Sequence, residues 1–250
     1  MSHMARRQDI MTTLDHWLEP ERFQDYCPNG LQVEGRDEVR RIISGVTASQ
    51  ALIDAAIDAE ADLILVHHGY FWKGEDQRVT GMKRRRLQAL LTREINLVAY
   101  HLPLDDHPRY GNNQQLARVL GIERAEPLDG LVWHGQLPEA LSPQGLADLL
   151  SERLGRAPLH VGTGPAEIRR VAWCTGAAQG CIGKALAGGA DAFISGEISE
   201  PTTHSAREEG IHYYAAGHHA TERYGVQALG EALAETFGIE HRFIDCDNPV

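Results

Sequence analysis

No apolar run in this 250-residue sequence approaches the roughly 18 residues that a membrane-spanning helix needs, so a helical membrane protein is excluded. The opening Met1-Ser2-His3-Met4-Ala5-Arg6-Arg7 has no apolar stretch behind it, so no signal peptide is expected and a cytoplasmic location follows by default. Ser2-His3-Met4 reads as a cloning scar, and His3 is given no role. Cysteine is scarce. Cys27, Cys174, Cys181 and Cys246 form no Cys-x-x-Cys pair, and no zinc-knuckle spacing occurs, so reduced and mostly buried thiols are expected. Positive charge is short as well: 24 Lys and Arg stand against 35 Asp and Glu, a net charge of −11. Binding nucleic acid through its phosphates needs the opposite balance. The one basic run, Lys83-Arg84-Arg85-Arg86, opens an apparent helix with Leu87, Leu90 and Leu91 and reads as a solvated face. Neither a P-loop nor a G-x-G-x-x-G fingerprint is present, so neither ATP nor NAD is implied.

What is present suits an α/β protein. Hydrophobic residues make up 42% of the chain, enough for one large or two small cores. Val39 to Val46, Asp62 to Val66 and Asn96 to Tyr100 read as strands, with helices over Gln50–Ala59, Lys83–Thr92 and Asn112–Leu120. Continuous apolar runs of this kind suit parallel strands covered on both faces. Glu123 to Pro143 reads as a crossover carrying one strand at Leu131-Val132-Trp133. Strands at Ile168–Thr175, Ala192–Ile194, Ile211–Ala216 and Glu240–Asp245 then alternate with helices.

The chain also repeats itself. Val39-Arg40-Arg41-Ile42 matches Ile168-Arg169-Arg170-Val171, and in the same register Ala61-Asp62 falls on Ala190-Asp191. His67-His68 falls on Gly196-Glu197. Further on, strands ending at His101 and at His218 each carry His-x-x-x-acid, with Asp105 and Glu222 as the acids. Two similar α/β domains are expected, 1–126 and 127–250, related by a pseudo-two-fold and facing each other across a cleft. The C-terminal segment is free to pack back on the first domain.

Three histidine clusters sit at strand ends, where ligands of parallel sheets gather. Adjacent strand residues point to opposite faces, so His67 and His68 can share a site only where the chain starts to turn, which Gly69 permits. If a helix begins near His218, that residue and Glu222 share a face, and the carboxylate can bridge two cations. Pro103 favours an extended or turning chain between His101 and Asp105, with Asp106 the nearest rival acid. His67, His68, His101, Asp105, His218 and Glu222 are therefore the expected ligands of two divalent ions, with zinc, iron, manganese, nickel and cobalt all compatible. Glu197, at the position of His68 in the second half, is a candidate general base or an outer partner of the ligands.

Pro28-Asn29-Gly30-Leu31-Gln32-Val33-Glu34-Gly35, Gly45 to Ser49, His67-His68-Gly69-Tyr70-Phe71-Trp72-Lys73-Gly74, His101 to Asp105, Ser195-Gly196-Glu197 and Gly217 to Glu222 together resemble the Nif-three-like dinuclear metal-centre family. Its members often carry the label "type 2 GTP cyclohydrolase I homologue". The likeness runs from about Tyr26 to the C-terminus and is to the short bacterial branch, without the extra middle domain. It implies a Nif-three-like fold of two α/β domains, a metal pair between them, and a toroidal homohexamer built as a trimer of dimers. In that family the ligands occupy the positions of His67, His68, Asp105, His218 and Glu222, with His101 at a ligand or near-ligand position.

Mixed nitrogen and oxygen ligands point first to a metal-dependent hydrolase of a small molecule, such as a nucleotide or another phosphate- or ring-containing compound. Trp72 is placed to stack on a base and Lys73 to meet a phosphate, with Tyr70 nearby. A non-enzymatic metal-binding or metal-delivery protein stands second. A regulatory or nucleic-acid-binding ring stands third.

Overall fold

The computed structural model describes residues 4–250 of the chain, and His3 lies outside them. It divides into two compact α/β units. The first comprises the chain up to Tyr110 together with Gly225–Cys246, and the second Gly111–Tyr224 with Asp247–Val250. No helix among the described residues is long and apolar enough to cross a membrane. No disulfide joins the four cysteines, of which Cys27 and Cys174 are buried.

The first unit is built on a five-stranded sheet. Arg41–Thr47, Leu63–His68 and Asn96–Ala99 run parallel, Glu240–Phe243 adds a parallel edge beside Arg41–Thr47, and Gly30–Val33 an antiparallel edge beside Asn96–Ala99. Side chains alternate between two cores, as a strand period of two requires. Ile42, Leu63, Leu65 and Val98 pack with Ile10 and Leu14 of the helix Arg7–Leu18 and with Leu229 and Leu233. Ile43, Ile64, Val66 and Leu97 pack with Leu52 and Ile53 of the helix Gln50–Asp58. That helix starts where Ser49 Oγ accepts from Leu52 N–H, an N-cap typical of serine.

The second unit repeats the plan. Ile168–Cys174, Ala192–Ser195 and His212–Ala215 run parallel at the middle of a six-stranded sheet. Val171, Trp173, Ile194 and Tyr214 face one core, Ala172, Phe193 and Tyr213 the other. The segment read as a crossover with one strand is a hairpin instead. Glu123–Asp129 pairs antiparallel with Val132–Leu141, turning at Gly130. The first of these strands is exposed along most of its length and carries Pro127, so no apolar alternation marks it as a strand.

The repeated Arg-Arg and Ala-Asp pairs have a physical basis. Asp62 Oδ2 accepts from the backbone N–H of Arg40 at 2.8 Å and of Arg41 at 3.1 Å. Asp191 Oδ2 accepts from Arg169 at 3.1 Å and Arg170 at 2.8 Å. In each unit an aspartate entering the second strand thus pins the amino end of the first. Arg36 and Arg170 close the two arrangements as ion pairs, at 3.0 and 2.8 Å.

On the outer strand of the first sheet, His241 lies against Gly230 and pairs with Ser44 Oγ at 2.8 Å. Burial pushes this imidazole down from 6.5 to about 4, so it is neutral in the fold. The unfolded chain takes up a proton near pH 6.5, so the stability involved is complete above that value and lost as pH falls toward 4. Since the ring is only part-buried, the expected loss is about 1–2 kcal/mol rather than the full shift. Urea unfolding at pH 7 and pH 4.5 measures it. His241→Gln is expected to flatten the dependence, and an unchanged slope would place the proton uptake elsewhere.

Candidate metal centre

His67 extends the inward face begun by Leu63 and Leu65 and is fully buried, while His68 is half-buried at the strand's end. Their rings come together all the same, with centroids 4.5 Å apart. The glycine that follows is needed for space rather than for a left-handed turn. A Cβ on Gly69 would overlap Gln32 Oε1 and stand 2.7 Å from Ala99 Cβ. Gln32 in turn accepts from Tyr70 N–H at 2.7 Å and donates to Pro28 O at 2.8 Å, which fastens the two loops together.

His101 follows the strand Asn96–Ala99 and joins this pair. A ring nitrogen from each of His67, His68 and His101 lies within 4.8 Å of the others. The next residues form a short helix, Leu102–Asp106, where a turning or extended chain was expected. Pro103 sits in its first turn, where the missing N–H costs nothing. This helix carries Asp105, 6% exposed, to His67, with Oδ1 at 3.5 Å from Nε2. The rival Asp106 lies toward Arg22, and burial pushes its carboxyl up.

The second unit holds its own set. His218 opens the helix His218–Phe237, and its Nε2 is 3.2 Å from Glu222 Oε2 one turn on. Glu222 is 3% exposed. Glu197 Oε1 meets His218 Nδ1 at 2.7 Å, and its backbone carbonyl accepts from Tyr213 O–H. Burial opposes charge on His218, but Glu222 and then Glu197 outweigh it and push the imidazole up to about 9. The two carboxylates thus create a potential that a cation answers. Glycines shape the space around them. A Cβ on Gly176 would overlap Glu222 Oε1 and lie 3.1 Å from His218 Nε2, and one on Gly196 would come within 2.6 Å of His218 Cα.

The donors fit divalent metal ions on the chemistry of the rings themselves. His67 Nδ1 bonds Tyr100 O at 3.0 Å, His68 Nδ1 bonds Thr47 Oγ1 at 3.1 Å, His101 Nδ1 bonds Asp25 Oδ1 at 2.6 Å, and His218 Nδ1 bonds Glu197 Oε1. All four imidazoles place Nδ1 against an oxygen, the pattern that orients metal-binding histidines. Asp25 was missed in the sequence because it lies in a loop without periodicity, 76 positions from its partner. Burial pushes its carboxyl up, but hydrogen bonds from His101, Asn29 and the Tyr26 N–H outweigh this and hold it at about 2.

The family described as Duf34/NIF3 (NGG1p interacting factor 3) matches residues 5–249. A Pseudomonas aeruginosa protein named "GTP cyclohydrolase 1 type 2 homolog" is 61% identical over 245 residues, 96% of this chain and 97% of that one. An Escherichia coli (strain K12) protein of the same name is 51% identical over 245 residues, 98% of this chain and 99% of that one. Among solved structures, one described as "protein ybgI, unknown function" superposes with a TM-score of 0.96 at 51% identity, covering 98% of this chain and all 100% of that one. A Thermus thermophilus protein, TTHA1606, gives a TM-score of 0.92 at 37% identity, with 98% and 100% covered.

Proposed function

Because the chain belongs to the Duf34/NIF3 family, and its four site imidazoles are all held by Nδ1, we propose that it is a divalent-metal protein, binding two ions through His67, His68, His101, Asp105, His218 and Glu222. The observation that carries this reading is the uniform Nδ1 bonding. Imidazoles serving only the core have no reason to present the same nitrogen. The buried carboxylates of Asp105 and Glu222 supply the negative charge that offsets dication burial.

The reaction we assign is metal-assisted hydrolysis of a small molecule. Bound in pairs, divalent ions lower the pKa of a water and orient it for attack. The residues have separate tasks. His67, His68, His101 and His218 fix nitrogen donors, and Asp105 and Glu222 contribute charge. Glu197 serves His218 as an orienting carboxylate through Oε1, and the same side chain is the candidate general base of the site. Tyr26 and Trp72 flank His101, with ring centroids at 6.2 and 5.0 Å, and would form the wall against which a substrate lies. The cyclohydrolase name of the relatives is one candidate chemistry within this class. The toroidal homohexamer remains part of the proposal.

Reconstituted protein is expected to reach two ions per chain by elemental analysis. A reproducible ceiling of one ion, in excess metal, would rule out the pair. A substrate screen with each of zinc, manganese, iron, cobalt and nickel then separates hydrolysis from storage. Saturable binding with no turnover on any compound would favour the metal-delivery reading.

A further inference from the structure

Resting on the metal reading, we infer that Asp25 is the positioning residue that makes His101 a metal ligand, and that Asp25 itself binds no ion. The first part follows from geometry. Asp25 Oδ1 faces His101 Nδ1 at 2.6 Å, and the carboxylate is 3% exposed. His101 is held from the main chain too: its N–H donates to Asn29 Oδ1 at 2.7 Å, and Asn29 Nδ2 donates to Asp25 Oδ2 at 2.9 Å. Asp25, Asn29 and His101 therefore form one closed ring of hydrogen bonds. With Nδ1 committed, Nε2 is the nitrogen left for an ion shared with His67 and His68.

The second part separates two readings of the same neighbourhood. Asp25, Cys27 and His101 also bring donor atoms within 4.8 Å of one another and could be taken for a nitrogen, oxygen and sulfur site. A carboxylate has about four acceptor positions. Asp25 fills them all: Oδ1 takes His101 Nδ1 and Tyr26 N–H at 2.6 Å each, and Oδ2 takes Asn29 Nδ2 and Leu102 N–H at 2.9 Å each. An ion at this carboxylate would displace bonds that the fold already uses. Ordering the ring is the remaining task, and carboxylate–histidine–metal arrangements raise ligand basicity in the same way.

The repeat reinforces the assignment. His101 and His218 occupy matching places after the third parallel strand of their sheets, and both receive a carboxylate at Nδ1, from Asp25 and Glu197. His67 and His68 receive neutral oxygens from Tyr100 and Thr47. The two histidines that follow matching strands are thus the two that meet a carboxylate at Nδ1.

The test is a double-mutant cycle on cobalt affinity, read by competition with a chromophoric chelator and by the visible spectrum of the bound ion. Asp25→Asn is expected to weaken binding about 10- to 100-fold and to alter the spectrum. In a His101→Ala background the same change is expected to have little further effect, because Asp25 acts through that ring. Equal losses in both backgrounds would assign Asp25 a general structural role and overturn the inference. Should Asp25→Asn fail to fold, zinc-loaded wild-type crystals decide the matter. An ion on His101 Nε2 with Asp25 still at Nδ1 supports the inference. An ion touching Asp25 or Cys27, or none at His101 while the other ligands are filled, overturns it and leaves the proposed function standing. Wild-type protein that takes up no ion removes both.

Discussion

Glu222→Gln is expected to lower metal affinity by at least about 100-fold, the upper end of what losing even a ligand's outer partner costs. The amide keeps the shape of the side chain and removes the charge. Glu222 is 3% exposed and lies against His218 Nε2, so the charge removed is a buried one. Asp106→Asn is the control, because that carboxylate lies toward Arg22. It is expected to retain metal within about threefold, a difference well under 1 kcal/mol. Isothermal titration on both variants measures the contrast. Equal retention would mean that the acids are wrongly assigned.

A larger combined effect is expected from Gly176→Ala. The residue has φ +67°, a region that costs a non-glycine residue roughly 1 kcal/mol. Its added methyl would also overlap the Glu222 carboxylate. The backbone there has little room to retreat. Gly176 N–H donates to Thr221 Oγ1 at 3.1 Å, and Gly176 O accepts from Gly196 N–H at 2.9 Å. The substitution should therefore cost about 2–4 kcal/mol and weaken metal binding together. Gly121→Ala isolates the strain, since Gly121 has φ +69° and its methyl would meet nothing within 4 Å. It is expected to cost about 1 kcal/mol and to keep its metal. Denaturant unfolding and metal titration of the pair give both numbers. Should the two variants behave alike, Gly176 would be serving only its backbone conformation and not the space for Glu222.

The parallel strands were legible because their residues are apolar on both faces, as Leu63 to Val66 show by alternating between two cores. Their terminal histidines were legible for the same reason: an imidazole ending such a run has no packing role to explain it. The exposed hairpin strand Glu123–Asp129 was not, because its pairing is set by backbone bonds to Val132–Leu141 and leaves no mark on side-chain polarity. The path from His101 to Asp105 was not legible, because Pro103 reads as an interruption and hides a short helix that turns the carboxylate toward His67. The roles of Asp25, Thr47 and Gly176 escaped notice since each acts on a residue distant in sequence, where no local pattern can point to it.

The aspartates that pin the strand entrances, Asp62 and Asp191, bear on how the two units could diverge. A one-residue slip between paired strands would swap every side chain to the opposite face, carrying His67 out of the core. Each aspartate grips two successive backbone N–H groups at the far end of the sheet from the histidines, so part of the alignment is set away from the strand exits. The matching exits carry His67-His68 in one unit and Gly196-Glu197 in the other, while the aspartate grip at the opposite end is the same in both. The two exits are not interchangeable, however: a side chain at Gly196 would run into the backbone of Gly176 and His218, so the second unit's exit is confined to glycine by the packing of the site and not by the register of its strands.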